Sequence, residues 1–219
     1  MQNKEKAIRP ETVRRLTRAA ALAALSAVLY FIPGIPVFPP IYKLDFSSVP
    51  VMLAALLLGP VDALCVLLFK DLTGLLHSSS MGVGELADFL TSAALVVCAW
   101  GVCRLLPGKT DAQGKVTHFG RKLGAWQLIL AFVLSVIAMA LVGALVNYYI
   151  MIPFYVSVMH LPEAAIVSMM AKIVPRIDSL GSLIAWATVP FNLLKGAVLC
   201  VLSYPLFRAL DRMLGGRAA

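Results

Sequence analysis

Long apolar stretches separated by short polar or proline-bearing breaks run through this chain, and their spacing predicts helices that cross a membrane. The first occupies residues 19–32 and stops at Pro33-Gly34-Ile35-Pro36, where a helix cannot continue. Residues 33–40, with Pro33, Pro36, Pro39 and Pro40, predict a structured outer loop that leads through 42–48 into a short apolar segment, 49–58. That segment, about ten residues long, falls short of a full crossing unless the loop or a tilt lengthens it. Gly59-Pro60 turns the chain, 61–76 runs back, 78–84 forms a flexible outer connection, and a fourth span starts at Glu85 and ends at Arg104. A fifth extends from Leu123 to about Ile152, and the last occupies 183–207. Between them, 160–182 mixes polar and apolar residues as an outer helix or lid would. The pattern predicts an all-α integral membrane bundle of about six transmembrane helices.

Composition sharpens this reading. With 60% hydrophobic and 14% charged residues, the chain lies outside the range of soluble domains. Its net charge of +8 could suggest nucleic acid, but the basic residues cluster in three places. They are 1–18 (Lys4, Lys6, Arg9, Arg14, Arg15, Arg18), 104–122 (Arg104, Lys109, Lys115, Arg121, Lys122) and the end (Arg208, Arg212, Arg217). Such clustering marks cytoplasmic flanks, so nucleic acid is excluded as a partner and both termini are placed in the cytoplasm. The layout divides into a basic N-terminus, 1–18, one membrane domain, 19–214, and a tail, 215–219. The run at 19–32 ends in Pro-Gly rather than a small-residue cleavage site, so it reads as the first helix and not as a signal peptide.

Cys65, Cys98, Cys103 and Cys200 lie in or beside apolar spans without zinc or disulfide spacing, and His77, His118 and His160 fall in connections. No metal site follows from either set. The chain carries no Walker A pattern and no serine or cysteine catalytic signature, so it reads as neither an ATPase nor an enzyme.

The chemistry concentrates in the last span. On a helix Thr188, Asn192 and Lys195 share one face, placing a hydroxyl, an amide and an ammonium in otherwise lipid-compatible sequence. An intramembrane lysine faces a cavity or a partner; Glu85, Asp88 and Asp71 are the acids available for a purely structural pair. Glu85 and Asp88, at i and i+3, either answer the helix dipole and loop contacts or touch a ligand. Asn147 is a buried amide that needs partners. Tyr148, Tyr149, Phe191 and Trp186 can pack, anchor at the interface or stack on a flat ligand. Asp45 and Ser47 either cap the next helix or belong to a lid. Ala19, Ala23 and Ala27 recur every four residues, a small-residue face suited to close helix contact with a partner or within the bundle.

At Lys43-Leu44-Asp45-Phe46-Ser47, Gly84-Glu85-Leu86-Ala87-Asp88-Phe89, Asn147-Tyr148-Tyr149 and, most specifically, Pro190-Phe191-Asn192-Leu193-Leu194-Lys195-Gly196, the sequence resembles the riboflavin-binding S components of energy-coupling factor (ECF) transporters. The resemblance covers nearly the whole chain. It implies a multi-pass protein of the bacterial plasma membrane that takes riboflavin as transported ligand, uses no cofactor, and is driven by a transmembrane coupling subunit and two ATP-binding subunits. It also implies that Asn147, Asn192 and Lys195 hydrogen-bond the flavin, that Leu44, Asp45 and Phe46 help close the site, and that Glu85 and Tyr148 join it. Ala19, Ala23 and Ala27 would meet the coupling subunit. Two positions depart from the pattern: Ser48, where an acid is expected, and Asp88, where an amide is expected. The competing readings are an S component for another vitamin, and a self-sufficient proton-coupled carrier with Glu85, Asp88 and Lys195 as its relay.

Overall fold

The computed structural model describes residues 10–39, 42–106 and 124–215. Lys4, Lys6, Arg9, Pro40, most of the 104–122 connection with Lys109, Lys115, His118, Arg121 and Lys122, the expected start of the fifth span at Leu123, and Arg217 lie outside the described residues.

Helix α1 (Pro10–Tyr30) leads into a two-stranded hairpin, β1 (Ile35–Phe38) and β2 (Tyr42–Leu44). The proline-rich loop is thus partly extended, an addition to the all-α expectation. Its strands pair antiparallel, Ile35 opposite Leu44 and Phe38 opposite Tyr42, with an irregularity between Pro36 and Phe38. Proline has no N–H to donate to a ladder, so it is tolerated on such a two-stranded edge. Helix α2 (Ser48–Leu57) follows, then α3 (Pro60–Gly74), a 3-10 turn (Leu75–His77) and α4 (Val83–Leu105). Helices α5 (Ala125–Val146) and α6 (Ile152–Ser157) form one rod around a π turn (Asn147–Met151). After α7 (Glu163–Ala171), α8 (Leu180–Leu183) and α9 (Val189–Gly215) form a second rod around another π turn (Ile184–Thr188). Val83–Leu105, Ala125–Ser157 and Leu180–Leu210 are long and apolar enough to cross a membrane.

The short second span has a physical explanation. From Ser48 to Leu56 every residue of α2 is buried, so this helix is enclosed by its neighbours. At about 1.5 Å per residue it is about 15 Å long, and a helix apolar on all sides belongs inside a bundle. Around it, at the end of the bundle away from the hairpin, lies an aliphatic core that includes Met52, Leu67, Leu95, Leu128, Met139 and Leu199.

Close approaches fix the helix ends. A Cβ on Gly74 would stand 2.7 Å from the Tyr30 ring, so this glycine lets α1 lie against α3. At the opposite end Arg15 pairs with Asp62 at 2.5 Å, giving the first-turn carboxylate of α3 a partner besides the helix dipole. Ser47 stands at the N-cap of α2, but its side chain makes no capping bond. Instead Asp45 Oδ1 accepts from the Ser47 backbone N–H at 3.0 Å and from its hydroxyl, a local turn that aims Asp45 inward. The 78–84 connection, expected to be flexible, is pinned: Ser78 Oγ accepts from the Gly82 N–H and Ser80 Oγ from the Gly84 N–H, both at 2.9 Å.

Candidate ligand-binding cavity

Each π turn sits just before a proline, Pro153 or Pro190. A proline ring clashes with the carbonyl four residues earlier and offers it no N–H, and widening the helix by one residue relieves both problems. The first π turn begins at Asn147, the second ends at Thr188, and both residues are buried. The Tyr42 hydroxyl bridges them, donating to Asn147 Oδ1 at 3.0 Å and lying 2.6 Å from Thr188 Oγ1. One hydroxyl from the hairpin therefore ties the two irregular rods together. The Tyr42 ring also packs on Phe191, centroids 4.9 Å apart.

Below the hairpin these elements enclose a cavity of about 410 Å³, bordered by Tyr30, Tyr42, Asp45, Glu85, Asp88, Asn147, Met151, Phe191, Asn192 and Lys195 among others. That volume suits a small organic ligand, and the mixture of rings with a few converging polar groups is that of a specific pocket. Asn147 and Asn192 each spend one N–H on their own helix, donating to Gly143 O at 2.8 Å and Thr188 O at 2.9 Å. These bonds fix the amide orientations. Gly143 matters here because a Cβ would fall 2.5 Å from Asn192 Nδ2.

One wall is ionic. Lys195 Nζ donates to Asp88 Oδ1 at 2.5 Å and Asp45 Oδ2 at 3.1 Å. The second oxygen of Asp88 accepts from Lys70, which also donates to Asp71 Oδ1 at 2.6 Å. Burial alone would push the Asp45 carboxyl up, but the Lys195 ammonium beside it, aided by Lys70 and the Ser47 bond, holds it below the usual carboxylate range. Glu85 takes no part in this network. It accepts from Tyr30 at 3.1 Å, Ser78 at 2.8 Å and Ser80 at 3.2 Å, and so fastens the α4 start to α1 and the connection.

Residues 14–207 match the family described as ECF transporter, substrate-specific component. The chain belongs to that family. Relatives include riboflavin transporter RibU of Staphylococcus aureus (strain TCH60), 29% identical over 202 residues and 92% of each chain. Riboflavin transporter FmnP of Bacillus subtilis (strain 168) is 25% identical across 89% of this chain and 90% of its own. A solved structure described as the S component of a bacterial ECF transporter superposes with a TM-score of 0.66 and 28% identity, covering 92% of this chain and 98% of that one.

In this S component the cavity brings together Asp45, Glu85, Asn147, Asn192 and Lys195 from the sequence-derived site. Leu44 is buried beside it without bordering it, Phe46 is exposed, and Tyr148 points away from the bundle with its ring against Tyr149, centroids 4.9 Å apart. Trp186 is exposed under Arg176, whereas Phe191 does border the cavity. Ala19, Ala23 and Ala27 are half-buried, Ala23 packing on the aliphatic core, while Ala20 and Ala24 beside them are exposed. Sequence reasoning missed Tyr42 and Lys70. Lys70 carried the same signal as Lys195, a lone ammonium in an apolar run. Tyr42 carried none, because its role depends on the hairpin. Among the described residues no group of His, Cys, Asp or Glu could hold a metal ion.

Proposed function

We propose that this S component binds riboflavin in the cavity beneath the hairpin and passes it across the bacterial plasma membrane when driven by a transmembrane coupling subunit and two ATP-binding subunits. The observation that carries the reading is the convergence of Asn147, Asn192 and Lys195 on one half-open cavity bordered by the Tyr30, Tyr42, Tyr155 and Phe191 rings. A flavin is flat and neutral, with carbonyls and ring nitrogens along one edge, so fixed amides and an ammonium suit it better than a cluster of like charges. The names of the relatives point to the same ligand.

In this reading the bundle crosses the membrane about six times, with the hairpin outside and the basic clusters inside. The hairpin and the 160–182 segment cover the mouth. Helix α1 supplies the coupling surface, its edge of Ala19, Ala23 and Ala27 widened by exposed Ala20 and Ala24. Close helix approach there depends on small side chains, so Ala24→Trp lowers ATP-driven uptake and leaves riboflavin affinity unchanged.

Purification and uptake test the proposal. The protein should carry a yellow, fluorescent flavin, and vesicles containing it should accumulate riboflavin only when the ATP-binding and coupling subunits are present. Accumulation driven by a proton gradient with the S component alone would favour a self-sufficient carrier with Glu85, Asp88 and Lys195 as its relay. A colourless protein with no affinity for riboflavin, but affinity for another vitamin, would reassign the substrate.

A further inference from the structure

Lys70 has none of its surface exposed and does not border the cavity, so a ligand there cannot touch it. It lies behind the wall, 5.2 Å from the Tyr30 ring centroid, with its ammonium on Asp88 and Asp71. Asp88, which does border the cavity, is thereby shared: one oxygen faces Lys70 and the other holds Lys195 at 2.5 Å. The charges alternate along the row Lys70, Asp88, Lys195, Asp45, which joins α3, α4, α9 and the hairpin exit.

The sharing has a consequence for the ligand. A carboxylate facing one ammonium in a poorly solvated wall draws that ammonium into a closed pair, and little of its positive field is left for a third group. With a second ammonium, itself shared with Asp71, on its other oxygen, Asp88 is already partly neutralised. Lys195 then stays oriented while keeping donor capacity for an electron-rich carbonyl or ring nitrogen. We propose that Lys70 is a positioning residue for ligand binding, acting through Asp88 to keep Lys195 available to the bound molecule. This rests on the flavin-binding reading above and adds to the site a residue that never meets the flavin. The alternative is a structural pin between α3 and α4, indifferent to what Lys195 does.

Riboflavin affinity, read by quenching of flavin fluorescence, separates the two when melting temperatures are measured alongside. The proteins needed are wild type, Lys70→Met, Asp88→Asn and the double variant Lys70→Met/Asp88→Asn. Because Lys70 acts through Asp88, Lys70→Met should weaken binding by about tenfold or more in the wild-type background and by less than about threefold in the Asp88→Asn background. A structural pin works through the same Lys70–Asp88 pair, so it lowers melting temperature in step with affinity; an affinity loss matched by the fall in melting temperature, or the same change in both backgrounds, overturns the proposal. Should Lys70→Met alone fail to fold, the comparison of Asp88→Asn with the double variant still decides: a further loss of about tenfold refutes action through Asp88. Failure of wild type to bind riboflavin would refute the functional reading instead, and is seen before any variant is made.

Discussion

The two halves of this bundle are built from the same helices and held by different physics. Away from the hairpin, α2, α3, α4, α5 and α9 meet through aliphatic side chains such as Leu67, Leu95, Leu128 and Leu199, each fully or almost fully buried. Toward the hairpin the same helices carry Lys70, Asp71, Asp88, Asn147, Thr188, Asn192 and Lys195, also buried or nearly so. Lipid-facing helices gain little from the hydrophobic effect, so the first half is held by close packing, whereas the second is held by hydrogen bonds and charge pairs that have no role in lipid. The contrast indicates where function resides. A polar half that merely held helices together would close on itself, yet this one surrounds a cavity bordered by Asp88, Asn147, Asn192 and Lys195. Even the irregular backbone follows the division, since both π turns lie in the polar half.

If the division is real, substitutions should separate along it. The largest effect on stability is expected from the aliphatic half: Leu199→Ala removes a fully buried side chain and should lower unfolding free energy by about 2 to 5 kcal/mol. The fraction that remains folded should bind riboflavin as wild type does, which thermal melts and titration of the same sample will show. Next comes Gly143→Ala, whose new Cβ must displace the Asn192 amide from 2.5 Å. Overpacking of this kind costs about 1 to 3 kcal/mol, and because it falls on a cavity residue the loss should appear in affinity more than in melting temperature. The smallest effect is that of pH. Asp45 has its carboxyl held below the ordinary value, so its pairing with Lys195 contributes fully above the unfolded-state pKa and is lost only as pH falls through the lower, folded value. The Asp45 contribution to affinity, read as the difference between wild type and Asp45→Asn, should therefore be flat from about pH 5 to about pH 8, and a decline of that difference inside the window would contradict the Asp45–Lys195 pairing.

Much of this was legible in the sequence, and the parts that were not share a cause. Polar residues at helical spacing in apolar runs identified Asn192 and Lys195, because an ammonium in a membrane span is costly unless a cavity or a charge partner receives it. Asn147 stood out as an amide in need of partners, and the family resemblance gave it and the hairpin exit their expected ligand roles. Lys70 was legible by the same rule and was passed over beside the conspicuous last span. Tyr42 and the π turns were hidden because they arise from long-range geometry: the hydroxyl of Tyr42 meets residues 105 and 146 positions away. The outward placement of Phe46 and Tyr148 was hidden for a related reason. Phe46 follows a hairpin that only the fold defines, and a π turn rotates the helix around Tyr148 and shifts which face looks inward. Glu85 combines both sequence readings, its oxygens accepting from Tyr30, Ser78 and Ser80 while it borders the cavity.

The central claim is that Lys195 serves a ligand rather than only the bundle, and calorimetric titration of riboflavin into wild type and Lys195→Ala tests it most directly. Loss of a charged hydrogen-bond donor predicts a loss of about 1.5 to 3 kcal/mol, roughly tenfold to a hundredfold in Kd, in a protein that still folds. Equal affinity in the two proteins would return Lys195 to the role of a buried pair for Asp45 and Asp88 and contradict the account.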